Sequence, residues 1–269
     1  MIKLVTEPWK VLSEHKNLCY QLTLQRIKRT QKGSALGYVW LVISPLLMLA
    51  LYVFVFGFIF GGKFSETQTS KVQYAITIFL GLSLYQYFSE AFALSSGVII
   101  GSTNFVKKIL FPLEILPISI CFSAMIRLAA ILLMILLYQI VSGEFISDYL
   151  YLLPVVLAPF FMMILGLCWI VSSVTVYVRD IGNITQFLLM AILFASAIFY
   201  PIDAVPAEFW TFLKYNPFLH YVDFMRSIVI FGQPFSIPTF SWVVVFSVSI
   251  FYLGFGLFRI LKGGFADVL

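Results

Sequence analysis

Long apolar runs separated by short polar or basic stretches set the pattern of this chain. Residues 35–60 contain no charged side chain. At about 1.5 Å per helical residue they exceed the ~30 Å hydrocarbon core of a bilayer. Comparable runs follow at about 73–96, 115–140, 150–177, 184–201 and 240–260. The pattern predicts an all-α membrane protein: six transmembrane helices in a single domain over residues 1–269. Two segments do not fit a span. Residues 8–31 place Leu18 and Leu22, and Tyr20, Leu24 and Ile27, at spacings of three and four. Glu14, Lys16, Arg26 and Arg29 keep this amphipathic helix from crossing. It reads as an anchor lying on the membrane surface, and it can serve at the same time as a docking face for a partner or an anionic head group. Residues 202–239 hold two short helices, 206–213 and 217–231, each opened by proline, with Asn216 as N-cap of the second. They are rich in aromatic side chains yet interrupted by Asp203, Glu208, Lys214, Asp223 and Arg226. A pair of this kind dips into one face and returns as a re-entrant hairpin.

Composition narrows the class. A mean hydropathy of +1.01, with 61% hydrophobic and 11% charged residues over 269 positions, exceeds what a soluble core can hide. The net charge of +5 is not a nucleic-acid footprint, because most of the positive charge flanks apolar runs. Lys3, Lys10, Lys16, Arg26, Lys28, Arg29 and Lys32 crowd the segment before the first run, which lacks the apolar stretch of a cleavable signal peptide. Lys107, Lys108, Arg179, Arg259 and Lys262 fall on the same side when six spans are threaded. The expected topology therefore keeps both ends in the cytoplasm and puts Glu66, Glu144, Asp148, Asp203 and Glu208 outside. Cys19, Cys121 and Cys168 are dispersed and show no C-x-x-C spacing, so they read as packing residues rather than a disulfide framework or zinc site.

Little in the chain suggests catalysis. Gly57 to Lys63 has the spacing of a phosphate-binding loop, but Phe64 stands where Ser or Thr must hold the metal, and an apolar helix rather than a strand precedes it. His15 and His220 fall on opposite sides of the membrane and cannot share a site. No zinc-protease, paired-aspartate or G-x-S-x-G motif occurs, and no internal repeat suggests a secondary transporter. The chemistry-bearing candidates are intramembrane. Arg127 falls mid-way along the third span, where a charge costs at least ~2.5–3.5 kcal/mol unless it faces protein or water. It reads either as half of a structural pair or as a channel-lining cation. Glu90 lies in the second span, closer to the inner surface, which leaves their pairing open. Aromatic residues make up 18% of the chain. Most suit lipid contact and interfacial belts, and some can line a path on which the apolar faces of sugar rings stack. Arg179 and Asp180 are expected to cap helix ends.

Several motifs, in order, resemble the type-2 ABC exporter permeases for polysaccharides. Arg26, Lys28, Arg29, Gly33, Ser34, Leu36, Gly37, Trp40, Pro45 and Leu46 resemble the approach to their first span. Asn104, Lys107, Lys108, Phe111, Pro112, Glu114 and Pro117 resemble their cytoplasmic loop between spans two and three. Arg179-Asp180-Ile181, Tyr200-Pro201, Tyr215-Asn216-Pro217 and the tail from Gly264 to Leu269 complete a similarity that covers nearly the whole chain. O-antigen exporters are the most similar, with capsule and teichoic-acid exporters close. The resemblance implies a homodimeric permease of the bacterial inner membrane, bound to two copies of a cytoplasmic ABC ATPase that carries the ATP and Mg; this chain itself would hold no cofactor and no metal. The cargo would be a polysaccharide linked to polyprenyl diphosphate. Arg26, Arg29, Asn104, Lys107 and Lys108 would meet the ATPase, and Arg26, Lys28 and Arg29 would suit the lipid diphosphate or head groups. Arg127, Tyr52, Tyr85 and Tyr87 would line the channel, and Phe209, Trp210, Tyr215 and Tyr221 would form an outer gate. Rival readings are a related permease for a drug or lipid and a non-transporting membrane scaffold.

Overall fold

The computed structural model describes residues 2–31, 37–59, 71–106, 111–143 and 147–269. Among these the chain is all helix. The helices are α1 (Ile2–Glu14), α2 (Lys16–Gln31), α3 (Trp40–Tyr52), α4 (Lys71–Ser96), α5 (Thr103–Val106), α6 (Ile115–Ser142), α7 (Leu153–Tyr177), α8 (Ile181–Ala195), α9 (Ala207–Leu213), α10 (Pro217–Arg226), α11 (Ile237–Lys262) and α12 (Phe265–Val268). Within the described residues three helical stretches, Ile115–Ser142, Asp148–Tyr177 and Ile237–Lys262, are long and apolar enough to cross a membrane. Ile43–Phe56 and Ile181–Ala195 are shorter apolar helices.

Helix α4 is the hub of the bundle. It packs against α3, α6, α7, α8 and α10, and against the wide helical turns Val53–Ile59 that continue α3. The tightest crossing joins α7 to α11. A Cβ at Gly166 would stand 2.5 Å from the Ile250 carbonyl oxygen, and a Cβ at Gly254 would collide with the Gly166 backbone. Without a hydrophobic force between helices in lipid, such close backbone approach supplies the packing energy. Aromatic rings fill the rest of the core. Phe160 lies 5.7 Å from Tyr87, 5.7 Å from Phe218 and 4.8 Å from Tyr221, and Trp169 sits against Phe251 and Phe255.

Both termini lie at one end of the bundle, tied together by polar contacts. Lys262 Nζ donates to both carboxylate oxygens of Glu114 at 2.9 and 2.8 Å, and Arg259 pairs with Glu7. Trp169 Nε1 donates to the Glu114 carbonyl, and the Tyr177 hydroxyl to the Leu261 carbonyl.

Several expectations need correction. The single helix expected over 8–31 is two helices bent at His15, and Pro8 sits inside the first rather than in its opening turn. Helix α2 packs on α6, and its Cys19 and Thr23 are buried. Tyr20, expected on the apolar face, is 65% exposed, while Leu18 and Leu22 meet the core. Pro154 opens α7 rather than interrupting it, and Pro159 is accommodated within the helix. The fifth run, expected to reach residue 201, ends as a helix at Ala195. Ala197 then takes a left-handed φ of 50°, and the chain turns back toward α9. Asp180 stands at the N-cap of α8, but its side chain makes no capping bond. Lys107 and Lys108, and most of the loop after Gly57, lie outside the described residues.

At the far end, Asn216 caps α10 as expected, its Oδ1 accepting from the Phe218 amide at 3.0 Å. Its Nδ2 also donates to the Ala195 carbonyl at 2.9 Å. The other end of α10 carries Arg226, fully buried, which donates to the carbonyls of Ala197 and Ile198 at 2.8 and 2.6 Å and to that of Thr77 at 3.2 Å. The two residues hold the unwound end of α8 from both sides.

Candidate functional site

Polar side chains in an apolar helix must find partners or water. On α4 they recur at Ser83, Gln86, Tyr87 and Glu90, spacings of three and four that place them on one face. That face borders a cavity of about 430 Å³ between α3, α4 and α6, whose other walls include Trp40, Ser44, Met48 and Arg127. A second cavity, of about 450 Å³, lies between α4 and α8 and is bordered by Tyr85, Ser89, Glu90 and Gln186. Glu90 borders both.

Arg127 pairs with Glu90, settling the question that the sequence left open. The pair is neither sealed in the core nor open to bulk: the two side chains are 25% and 28% exposed. Two buried atoms stay unpartnered on these helices among the described residues, Arg127 Nε and the Tyr87 hydroxyl, the latter near Cys121 and Cys168. Tyr87 is 2% exposed, so its hydroxyl is a buried group of the kind that natural proteins rarely leave unsatisfied.

The proposed channel residues thus separate. Arg127 and Tyr87 border the first cavity and Tyr85 the second, with the Tyr85 hydroxyl donating to the Leu189 carbonyl at 3.1 Å. Tyr52 borders neither; its ring packs between Phe56 and Phe79. Trp40, Ser83, Gln86 and Gln186 are additions. The i, i+3, i+4, i+7 spacing of polar residues in α4 was the signal that could have found Ser83 and Gln86. Gln186 gave none, and Trp40 was marked only as part of the motif before the first span.

Of the basic set, Lys28 and Arg29 are exposed on α2 and Asn104 on α5. Arg26 turns inward and donates from Nε to Ser119 Oγ on α6 at 3.1 Å. Burial and then the nearby Arg29 charge push its pKa below the usual guanidinium value. Arg26 therefore fastens α2 to the bundle. At the far end Phe209 and Tyr215 are exposed and Trp210 half-buried. Phe209 borders an apolar groove of about 460 Å³ with Phe194, Tyr200 and Phe212. Tyr221 does not belong to that surface: it is fully buried, and its hydroxyl meets Ser247 Oγ at 2.7 Å. The position most tightly bound there, Arg226, was read from the sequence only as a charge that breaks an apolar run. No group of three or more metal-ligating side chains occurs among the described residues.

Residues 17–230 match the ABC-2 type transporter family. An O-antigen export system permease protein, RfbA, of Klebsiella pneumoniae is 23% identical over 94% of this chain and 95% of its own length. The protein of that name from Myxococcus xanthus is 25% identical over 77% of this chain and 76% of its own length. A polysialic acid transport protein, KpsM, of Escherichia coli is 24% identical over 86% of this chain and 88% of its own length. All three are named as transport proteins, and none as a catalyst. A match that spans most of the sequence, on a bundle of apolar helices, leads to one conclusion: the chain belongs to the ABC-2 type transporter family, as a membrane-embedded subunit.

Proposed function

We propose that this chain is the transmembrane subunit of an ABC exporter that carries a polyprenyl-diphosphate-linked polysaccharide of the O-antigen type out across the bacterial inner membrane. The observation that carries this reading is the collinear similarity to O-antigen export permeases over 94% of the chain. The energy source would be ATP hydrolysis in two copies of a separate ATPase, which would hold the nucleotide and Mg. Six spans with both termini in the cytoplasm, and α9 and α10 as a re-entrant pair on the outer face, fit the flanking charges.

Arg29 and Asn104, with Lys107 and Lys108, would meet the ATPase. Lys28 and Arg29 lie exposed on α2 and suit phosphate head groups. A homodimer is supported by α8, where Thr185 and Leu189 are the buried residues and Phe187 is 73% exposed. The two cavities beside α4 open on either side of it, toward α3 and α8. Arg127, Tyr85 and Tyr87 would border the path there, and Phe209, Trp210 and Tyr215 would flank its exit.

Deleting the gene tests the proposal. Undecorated lipid-linked glycan should accumulate on the cytoplasmic side, and the plasmid-borne gene should restore surface polymer. A deletion strain that still displays its polymer would end the reading. The similarity to a polysialic acid transport protein favours a second one, an acidic capsule polymer as the cargo. Fractionating the trapped glycan by charge separates the two.

A further inference from the structure

We infer that the long apolar groove between α1, α6, α7 and α11 holds one acyl chain of a membrane phospholipid, which completes the seating of α1 on the bundle. The groove has a volume of about 490 Å³. It shares no bordering residue with the two cavities beside α4. It also uses a different face of α6, with Ile118, Phe122 and Met125 in place of Ala124, Arg127 and Leu128. The inference therefore needs only that the chain is membrane-embedded, whatever its cargo.

Shape selects the occupant. On α7 every fourth residue borders the groove, from Leu153 through Leu157, Phe161 and Leu165 to Trp169. At ~1.5 Å per residue this stripe is about 24 Å long, within the ~30 Å hydrocarbon core. Spread over that length, the 490 Å³ leaves a mean cross-section of about 20 Å², a trough about 4.5 Å wide. A helix is about 10–12 Å across and cannot enter. Carbon atoms in contact stand about 3.5–4.0 Å apart, so a single polymethylene chain fills the trough from wall to wall. A polyprenyl chain carries a methyl branch on every fourth carbon and is broader than the trough.

The chemistry of the wall agrees. No bordering side chain carries a charge, a hydroxyl or an amide. Both indole nitrogens that border it are turned to other partners: Trp169 Nε1 donates to the Glu114 carbonyl at 3.1 Å and Trp9 Nε1 to the Tyr252 hydroxyl at 3.4 Å. An empty trough forfeits dispersion contacts along its whole length, and hydrocarbon restores them.

Helix α1 packs on α11 and α2, with Glu7 paired to Arg259. Toward α6 and α7 it presents Pro8, Trp9 and Leu12 to the groove instead. Trp9 and Trp169 both pack on Phe251, so α1 closes the Trp169 end. Trp9 is 50% exposed there, as indoles at the head-group level are. A chain lying in the trough touches all four helices and joins the surface helix to the spans.

The test uses the full-length protein in nanodiscs of dioleoyl phosphatidylcholine, doped with a phosphatidylcholine that carries a diazirine midway along one acyl chain. After irradiation, peptide mass spectrometry maps the adducts. Phe161 in the groove is partly buried, and Phe246 on α11 is 39% exposed and borders no part of it. A resident chain should label Phe161 more heavily than Phe246, against the order of their exposure. Ala158→Phe, at an exposed position bordering the trough, should plug it. Phe161 adducts should then fall by at least about 5-fold, the worth of one or two methylene contacts, while those at Phe246 stay unchanged. Met162→Trp plugs the same trough should Ala158→Phe not fold. Added undecaprenyl phosphate should leave the labelling as it was. Labelling of Phe161 no heavier than that of Phe246 would mean bulk lipid only. No label at Phe161 would mean that a protein neighbour covers the groove, and clearance by undecaprenyl phosphate would assign it to an isoprenoid chain. Each of these results, or adducts that a folded plugged variant leaves intact, overturns the inference. If neither variant folds, the comparison of Phe161 with Phe246 in the unmodified chain decides it.

Discussion

Arg226 shows what one buried charge does in this fold. Its guanidinium serves the carbonyls of Thr77, Ala197 and Ile198, which belong to two other parts of the chain. Leaving such buried carbonyls without this donor costs on the order of 1–3 kcal/mol each. Arg226→Met should therefore lower the thermal midpoint of the protein in detergent sharply, as read by loss of the monodisperse chromatographic peak on heating. Arg226→Lys should recover part of the loss, because an ammonium donates but cannot match the planar fork. Arg127 and Glu90 respond differently. Each single substitution, Arg127→Gln or Glu90→Gln, strands a partly buried charge, whereas the double variant removes both. The same heating assay should find the double variant more stable than the sum of the singles predicts. Additive losses would mean that the pair is uncoupled.

At the scale of the helices, close approach and capping set the geometry. The α7–α11 crossing depends on Gly166 and Gly254, because any Cβ there meets backbone that cannot move aside as a flexible side chain can. Gly166→Val should force the helices apart and destabilise by about 1–3 kcal/mol or more, as overpacking does. Reduced yield of folded protein after membrane extraction checks this. Asn216 acts in two ways, as the cap of α10 and through Nδ2, which donates to the Ala195 carbonyl and to Ser196 Oγ at the end of α8. Asn216→Ala should cost about 1 kcal/mol for the cap alone, and more if the Nδ2 bonds contribute. Asn216→Asp, which keeps the cap and loses the Nδ2 donor, separates the two contributions.

For the whole molecule, the decisive feature is the face left uncovered. In α8 the buried residues are Thr185 and Leu189, so a large apolar surface awaits lipid or a second copy. If two copies meet there, Phe187→Cys should cross-link to its counterpart in native membranes under mild oxidation and give a dimer band on non-reducing gels. The unmodified chain, whose cysteines are buried, should remain monomeric. A Phe187→Cys chain that also stays monomeric would place α8 against lipid. At the other end of the molecule, Lys262 and Glu114 join the last long helix to the segment that follows α5, the segment proposed to meet the ATPase.

By itself the sequence determined the solvent, and with it most of the architecture. Apolar runs longer than a bilayer is thick have to be helices in lipid, because no other local structure satisfies its own backbone there. That is why α6, α7 and α11 fall within a few residues of where the apolar pattern puts them. The Asn216 cap was legible for the same local reason, since a capping side chain and its amide lie two residues apart. Only the tertiary structure decided which polar residues meet. Arg127 and Glu90 stand 37 positions apart, and Tyr87, Tyr52 and Tyr221 look alike as letters. The packing of α3 and α6 against α4 makes the first a cavity wall and leaves the second in an aromatic stack, whereas α7 and α11 cover the third. The end of α8 at Ala195 was hidden too, because it depends on Arg226 capturing carbonyls nearly thirty residues back along the chain. Hydrophobicity acts on each residue's own transfer to lipid and can be read one position at a time, whereas a hydrogen bond or an ion pair needs two groups that only the fold brings together.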